Sequence, residues 1–298
     1  MDNKNGLKGL ILKGIGGFYY VEAANKVYSC KARGVFRKQK ITPLSGDEVI
    51  ISVNEAEDNT IEEILPRKNF LLRPPVANIG RLIIISSTKE PSPVLFLIDK
   101  LIAIAVNKDI EPVVAFSKSD LEDTSRYIQI YKKAGIKTLS ISAVTHEGKE
   151  RLTELISDKI NVFTGNSGVG KSSILNILET DINQKVGEIS KKLGRGRHTT
   201  REVELFKFKN GYIADTPGFS ALETGKSEII PKDVLPFCFP EFLPYLGKCK
   251  FSTCSHTNDA GCVISEAVKK GEIGISRYES YKTMYDEVKD IEEWSLSP

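Results

Sequence analysis

Gly165-Asn166-Ser167-Gly168-Val169-Gly170-Lys171-Ser172 carries the fixed residues of GxxxxGK[ST] at the required spacing. A strand expected over 161–164 precedes it and a helical pattern over 171–178 follows, the strand-loop-helix setting that gives this spacing its physical meaning. Glycines let successive backbone N–H groups turn toward one centre, and a helix N-terminus adds its positive end, so the loop suits phosphate oxygens. Lys171 brings a cation for β- and γ-phosphates, Ser172 a hydroxyl for Mg²⁺, and Ser173 a second hydroxyl beside it. A plain glycine-rich turn would not account for a lysine followed by a hydroxyl.

Asp215-Thr216-Pro217-Gly218 follows the apolar residues 212–214. Alone it reads as a β-turn. About 50 residues after the phosphate loop it reads as DxxG, with Asp215 in the magnesium shell and the Gly218 N–H sensing a γ-phosphate. Between the two lies Gly194-Arg195-Gly196-Arg197-His198-Thr199-Thr200-Arg201, in which a threonine would complete the Mg²⁺ shell; we assign Thr200, with Thr199 the alternative. Ser117-Lys118-Ser119-Asp120 resembles the guanine-reading [NT]KxD pattern. An aspartate accepts from both N1–H and the exocyclic amine of guanine, which adenine cannot match. Ser142-Ala143 resembles the loop whose backbone N–H meets the guanine O6. Both guanine segments precede the phosphate loop, the reverse of the usual order, so the domain reads as circularly permuted.

Cys249, Cys254, His256 and Cys262 fall within 14 residues, in a C-x4-C-x-H-x5-C pattern. Three thiols and one imidazole suit one tetrahedral zinc, and four protein ligands leave no open position, so the metal is expected to be structural. A disulfide pair and merely buried thiols are the competing readings. Cys30 and Cys238 read as packing residues.

These groups need elements to hold them. Short strands over 7–15, 18–22, 26–33, 48–54 and 60–65 suggest a small β-barrel, of the OB type that often binds RNA or of the SH3-like type. Residues 31–40 hold five basic side chains and no acid, either a phosphate-contacting loop or a solvated, flexible hairpin. A proline-bearing linker over 65–77 leads to strands alternating with helices, an α/β pattern with a mostly parallel sheet. Its helices are expected near 93–107, 121–134, 149–157 and 171–178, and its strands over 81–86, 112–117, 137–141, 161–164, 203–208 and 212–214. A last helix is expected over 276–293. The expected domains are therefore an OB-type barrel at 1–66, a permuted P-loop domain at 67–222 and a mainly helical zinc-binding domain at 223–298.

Hydrophobic residues at 40% and charged residues at 27% exclude wholesale disorder, and the longest apolar stretch, 94–106, is interrupted by Asp99 and Lys100, so no membrane partner is expected. Residues 1–13 mix Asp2, Lys4, Lys8 and Lys13 with glycines, so a secretory leader is not expected. Five cysteines are too few for a disulfide scaffold and point to a reducing compartment. The net charge of +3 hides asymmetry: residues 31–40 and 185–201 each carry +5, while 226–298 carry −3. Basic segments of that kind suit RNA phosphates and predict salt-sensitive binding.

A barrel, then SKSD, SA, GNSGVGKS, GRGRHTT and DTPGF in permuted order, then C-x4-C-x-H-x5-C, resembles the ribosome small-subunit-dependent GTPase A (RsgA) family over essentially the whole chain. The resemblance implies an N-terminal OB-fold, a permuted GTPase domain and a C-terminal zinc domain. It further implies a cytoplasmic protein that binds the small ribosomal subunit and its rRNA and assists late maturation of that subunit with subunit-stimulated GTP hydrolysis; the partners expected are GTP and GDP with Mg²⁺, and the chain is expected to be a monomer. Two residues depart from common GTPase patterns: Ser117 stands where Asn or Thr is usual, and Phe219 follows Gly218 where Ras-like enzymes place a catalytic Gln. The family shares the second departure, and His198 is the substitute it implies for orienting the attacking water; contact with rRNA or simple exposure is the alternative. Competing readings are an ATPase, a permuted GTPase of large-subunit assembly, and an RNA-binding scaffold whose nucleotide site is only a switch.

Overall fold

Side-chain alternation shapes the first strands. In β2 (Phe18–Ala23), Val21 and Ala23 point inward while Tyr20 and Glu22 do not; in β4 (Glu48–Ser52), Val49 and Ile51 do the same. The computed structural model describes residues 6–54, 58–183, 203–215, 228–257 and 259–291, with the backbone alone for 179–183 and 215. Two compact units are present, Met1–Arg81 with Glu154–Phe163 and Asp181–Phe219, and Leu82–Thr153 with Thr164–Thr180 and Ser220–Pro298.

In the first unit, β1 (Leu7–Ile15), β2, β3 (Lys26–Ala32), β5 (Asn59–Ile64) and β4 close a barrel in the order β1-β2-β3-β5-β4. The β3–β5 pair is parallel and the rest antiparallel, the five-stranded arrangement of an OB-fold. A bulge in β1 between Ile11 and Lys13 bends the strand enough for it to pair on both sides. Ile11, Val21, Cys30, Val49, Ile51 and Ile61 fill the interior. Residues 31–40 are not a hairpin: helix α1 (Gly34–Lys38) occupies them, because Phe36 turns into the barrel core. Lys31 pairs with Asp58 and Arg33 with Glu62, while Arg37, Lys38 and Lys40 are exposed.

The stretch expected as a linker contains a β-hairpin, β6 (Phe70–Leu72) and β7 (Pro75–Ala77). Leu71 and Val76 face each other fully buried, and the prolines sit at the turn and strand start, where a missing N–H costs least. Also in this unit, β11 (Ile160–Thr164), β13 (Gly211–Asp215) and β12 (Glu204–Phe208) lie in that order, β13 parallel to β11 and antiparallel to β12. Glu22 of the barrel accepts from Lys207 Nζ at 2.7 Å and from the Tyr212 hydroxyl at 2.6 Å, and Ser45 Oγ donates to the Val203 carbonyl at 2.7 Å.

In the second unit, β10 (Lys137–Ile141), β9 (Glu111–Ser117) and β8 (Arg81–Ser87) lie side by side, with β9 and β10 parallel. Every residue of β8 is buried, as a strand covered on both faces requires. Helices α2 (Leu95–Asn107), α3 (Ser125–Lys133), α4 (Lys149–Leu155) and α5 (Lys171–Asn183) follow β8, β9, β10 and β11 in the chain. The C-terminal part has 3-10 turns at Leu235–Cys238 and Pro240–Phe242, then α6 (Val263–Lys269) and α7 (Ile275–Val288). Helix α6 escapes the sequence reading because it is short and its N-cap is Cys262, whose Sγ accepts from the Ser265 N–H at 3.5 Å in place of the usual hydroxyl or carboxylate. No helix among the described residues is long and apolar enough to cross a membrane.

Helix α7 is fixed to α2 by a buried charge cluster. Arg277, 1% exposed, donates to Asp99 Oδ1 at 2.9 Å and to both carboxylate oxygens of Glu241 at 2.7 and 3.1 Å, and lies over the Phe239 ring. Burial raises the Asp99 carboxyl above its ordinary 3.8, opposed by Arg277 and by hydrogen bonds that include Ser280 and Tyr131. Removing the guanidinium strands a buried carboxylate, so Arg277→Met is expected to cost about 3–5 kcal/mol in denaturation. Its pH dependence is diagnostic. With Asp99 raised further, the folded state holds a proton that the unfolded state has lost, so the variant gains stability as pH falls from 7 toward 5. A Tm difference between variant and wild type that does not narrow over that range contradicts this account.

Candidate functional site

Strand β11 delivers the phosphate loop. Val162 and Phe163 are buried, and the Asn161 amide donates to the carbonyls of Ile156, Lys159 and Tyr212 at 2.9, 2.7 and 3.2 Å, which pins the strand where apolar packing alone could slip. At its end the backbone of Gly165 has φ +153°, and a Cβ there would stand 2.3 Å from the Ile85 carbonyl oxygen, so no other residue fits without displacing β8. Gly170, at φ +88°, releases the chain into α5, whose first helical bond runs from the Ile174 N–H to the Gly170 carbonyl at 2.9 Å. Val169 is buried beneath the loop, Asn166 is half-buried, and Ser167 and Gly168 are exposed. Lys171 is half-buried in the first turn of α5, followed by the exposed Ser172 and Ser173. An open loop with left-handed glycines ahead of a 13-residue helix is a site for an anion.

The guanine-type segments come together through strand register. Ser117 and Ile141 are paired at the ends of the parallel strands β9 and β10, so 118–120 and 142–143 emerge side by side. Ser142, fully buried, donates its hydroxyl to Asp120 Oδ1 at 2.5 Å and accepts from the Val144 and Thr145 N–H groups at 3.1 Å each. The Asp120 carboxylate is thus aimed by a serine that its own loop holds still, and it remains exposed to a ligand. Ala143 is half-buried beside it. Ser119 Oγ donates to Glu147 Oε2 at 2.7 Å, a partner that no sequence signal marks because it depends on the fold of the loop after β10.

Ser117 joins the two halves. Its hydroxyl donates to the Val169 carbonyl of the phosphate loop at 2.5 Å and lies 3.4 Å from the Ser86 carbonyl. Residues 117–120 and the loop 165–172 therefore share one hydrogen-bonded frame, although 117–120 lies upstream in the chain. His198, Thr200 and Gly218 lie outside the described residues, as does Thr199. Asp215 ends β13, with only its backbone described.

A model of the RsgA GTPase domain matches residues 64–225, more than half of the chain, and one of the RsgA N-terminal domain matches residues 8–61. The chain belongs to the RsgA family. A relative from Caldanaerobacter subterraneus, called small ribosomal subunit biogenesis GTPase RsgA, is 46% identical over 290 residues, covering 96% of this chain and 97% of that one. Another of the same name from Ruminiclostridium cellulolyticum is 44% identical over 293 residues, covering 96% and 95%. Among solved structures, YloQ, described as a circularly permuted GTPase, superposes with a TM-score of 0.79 at 32% identity over 98% of each chain. YjeQ from Thermotoga maritima gives 0.78 at 33% identity over 96% of this chain and all of that one. This RsgA family member is thus a GTPase with an OB-type barrel and a permuted nucleotide domain.

The cysteine cluster of this RsgA family member can hold a metal. The ligand atoms of Cys249, Cys254, His256 and Cys262 all lie within 4.8 Å of one another, and His256 Nδ1 stands 3.4 Å from Cys249 Sγ and 3.7 Å from Cys262 Sγ. Tetrahedral zinc with sulfur at about 2.3 Å sets ligand atoms about 3.5–3.8 Å apart, so the spacing fits that ion. Burial pushes the Cys254 thiol up to about 12, raises Cys262 and lowers His256, so the site disfavours three thiolates without a cation among them. Tyr281 donates its hydroxyl to the Ser255 carbonyl at 2.7 Å and Tyr278 to that of Thr257, so α7 braces the ligand loop from behind. The other two cysteines, Cys30 and Cys238, are buried and free, as packing residues should be.

Proposed function

We propose that this protein hydrolyses GTP to GDP and phosphate while bound to the small ribosomal subunit and its rRNA, and that it assists late maturation of that subunit in the cytoplasm as a monomer. The observation that carries the nucleotide reading is the Ser117 hydroxyl on the Val169 carbonyl, which holds base recognition and phosphate recognition at a fixed separation. The subunit reading is supported by the names of the relatives at 44–46% identity across nearly the full chain.

In this reading Gly165 to Gly170 turn their N–H groups to the phosphates, Lys171 places its ammonium against the β- and γ-oxygens, and Ser173 adds a hydroxyl. Asp120 accepts from guanine N1–H and N2–H while the Lys118 stem lies along the base and the Ala143 N–H meets O6. Ser172, Asp215 and Thr200 would hold Mg²⁺, which would supply positive charge against the β- and γ-phosphate oxygens. Gly218 senses the γ-phosphate, and His198 orients the attacking water, replacing the glutamine absent at Phe219. Cys249, Cys254, His256 and Cys262 hold one structural zinc. The working division is 1–66 for the RNA-facing barrel, 67–222 for the GTPase domain and 223–298 for the zinc domain.

The test is GTP turnover by the purified protein with and without small subunits: stimulation by the subunit is expected, and equal rates rule the reading out. Base choice has its own test. Asp120→Asn replaces an acceptor with a group that donates toward N2–H, so preference for GTP over XTP should fall by about 100-fold or more in competition binding. Undiminished selectivity would remove Asp120 from the base contact.

A further inference from the structure

Residues 88–91, after β8, carry none of the motifs above, yet they touch both halves of the site. Thr88 is 1% exposed. Its N–H donates to the Ser117 carbonyl at 3.2 Å, and its Oγ1 lies 3.2 Å from the carbonyls of both Ser117 and Lys118. A threonine hydroxyl has one hydrogen, so it is shared between these two acceptors. Two residues on, the Glu90 carbonyl accepts from Lys118 Nζ. Pro91 Cδ comes within 3.7 Å of where a Cβ on Gly168 would stand, so the segment reaches the phosphate loop too.

Lys118 has φ +57°, a left-handed backbone that a non-glycine residue keeps only where its surroundings over-determine it. Thr88 supplies that constraint at the peptide carbonyls and Glu90 supplies it at the side-chain end. The lysine stem, which in the reading above lies along the base, is therefore gripped at both ends by one short segment. We infer that Thr88 is a positioning residue for guanine nucleotide, holding the Ser117–Lys118 backbone so that Lys118 covers the base, and that it thereby sets the rate of nucleotide release. This rests on the guanine-nucleotide reading of the site.

The test is release of a fluorescent GDP analogue from the full-length chain, measured by stopped-flow displacement. Thr88→Val keeps the shape of the side chain and loses only the hydroxyl, and it should speed release about five- to tenfold. Thr88→Ser, which restores the donor, should return the rate to within about twofold of wild type. In a Lys118→Met background the same Thr88→Val change should alter release by less than about twofold, because its effect passes through Lys118. Wild-type release from Thr88→Val, or the same factor in both backgrounds, overturns the inference. So does faster release that follows a lowered Tm and is not rescued by serine, since that marks a role in folding alone. A wild-type chain that does not bind GDP overturns the nucleotide reading as well, whereas a wild type that binds and a Thr88→Val protein that releases normally overturn only this inference.

Discussion

Lys171→Ala lowers GTP turnover by about 10²–10³-fold, the loss expected when a preorganised charge is removed from the oxygens on which charge develops. The position makes the experiment clean. Lys171 lies half-buried in the first turn of α5, where alanine is the best helix former, so the backbone that carries Gly165 to Gly170 should survive the change. Thermal unfolding should therefore move little while single-turnover hydrolysis collapses, with and without small subunits. Lys171→Arg is a useful companion. It keeps the charge but replaces a compact ammonium by a planar fork, and should recover only part of the rate because the loop is shaped for a point charge. A Lys171→Ala enzyme within tenfold of wild type would place the phosphate charge on another residue.

Removal of the metal should be the largest stability effect. Structural zinc contributes roughly 10–16 kcal/mol in small peptide domains, against about 3–5 kcal/mol for a broken buried ion pair. Residues 249–262 are mostly polar loop, and Phe251, among their few large apolar side chains, is 50% exposed, so apolar packing offers little to replace the metal. Cys254 is the ligand to change, because Cys262 also caps α6 and its loss would mix two effects. Purified protein should contain one zinc per chain by elemental analysis, and Cys254→Ser should lose most of it and melt well below wild type. Chelation of the wild type should produce the same shift. Tm values that agree with and without the metal, in protein shown to have lost it, would contradict a structural role.

Legibility tracked distance along the chain. The phosphate loop is one eight-residue conformation whose glycines and lysine carry their own geometric reason, and Cys249 to Cys262 is a loop short enough for spacing to define a ligand set. The barrel strands were visible through alternation. Their closure in OB order was not, since the β3–β5 pairing is a contact between separated segments. Prolines suggested a linker where Leu71 and Val76 in fact pack, because proline marks the limits of a strand as readily as it marks the lack of one. The five basic residues at 31–40 read as a hairpin or a contact loop, whereas the apolar Phe36 decides their shape by entering the core.

The sequence by itself determined the chemistry this chain can perform and the permuted order of its parts, because motif residues act through local backbone geometry and simple spacing. Tertiary structure decided which side chains hold those residues in place. Ser142 aims Asp120 through the register of two parallel strands, Ser117 ties the base segment to the phosphate loop, Thr88 grips the Lys118 backbone, and Arg277 meets Asp99 from 178 residues away. Each such contact exists only after strands are paired and helices packed, and no local pattern of residues encodes a partner that distant folding supplies.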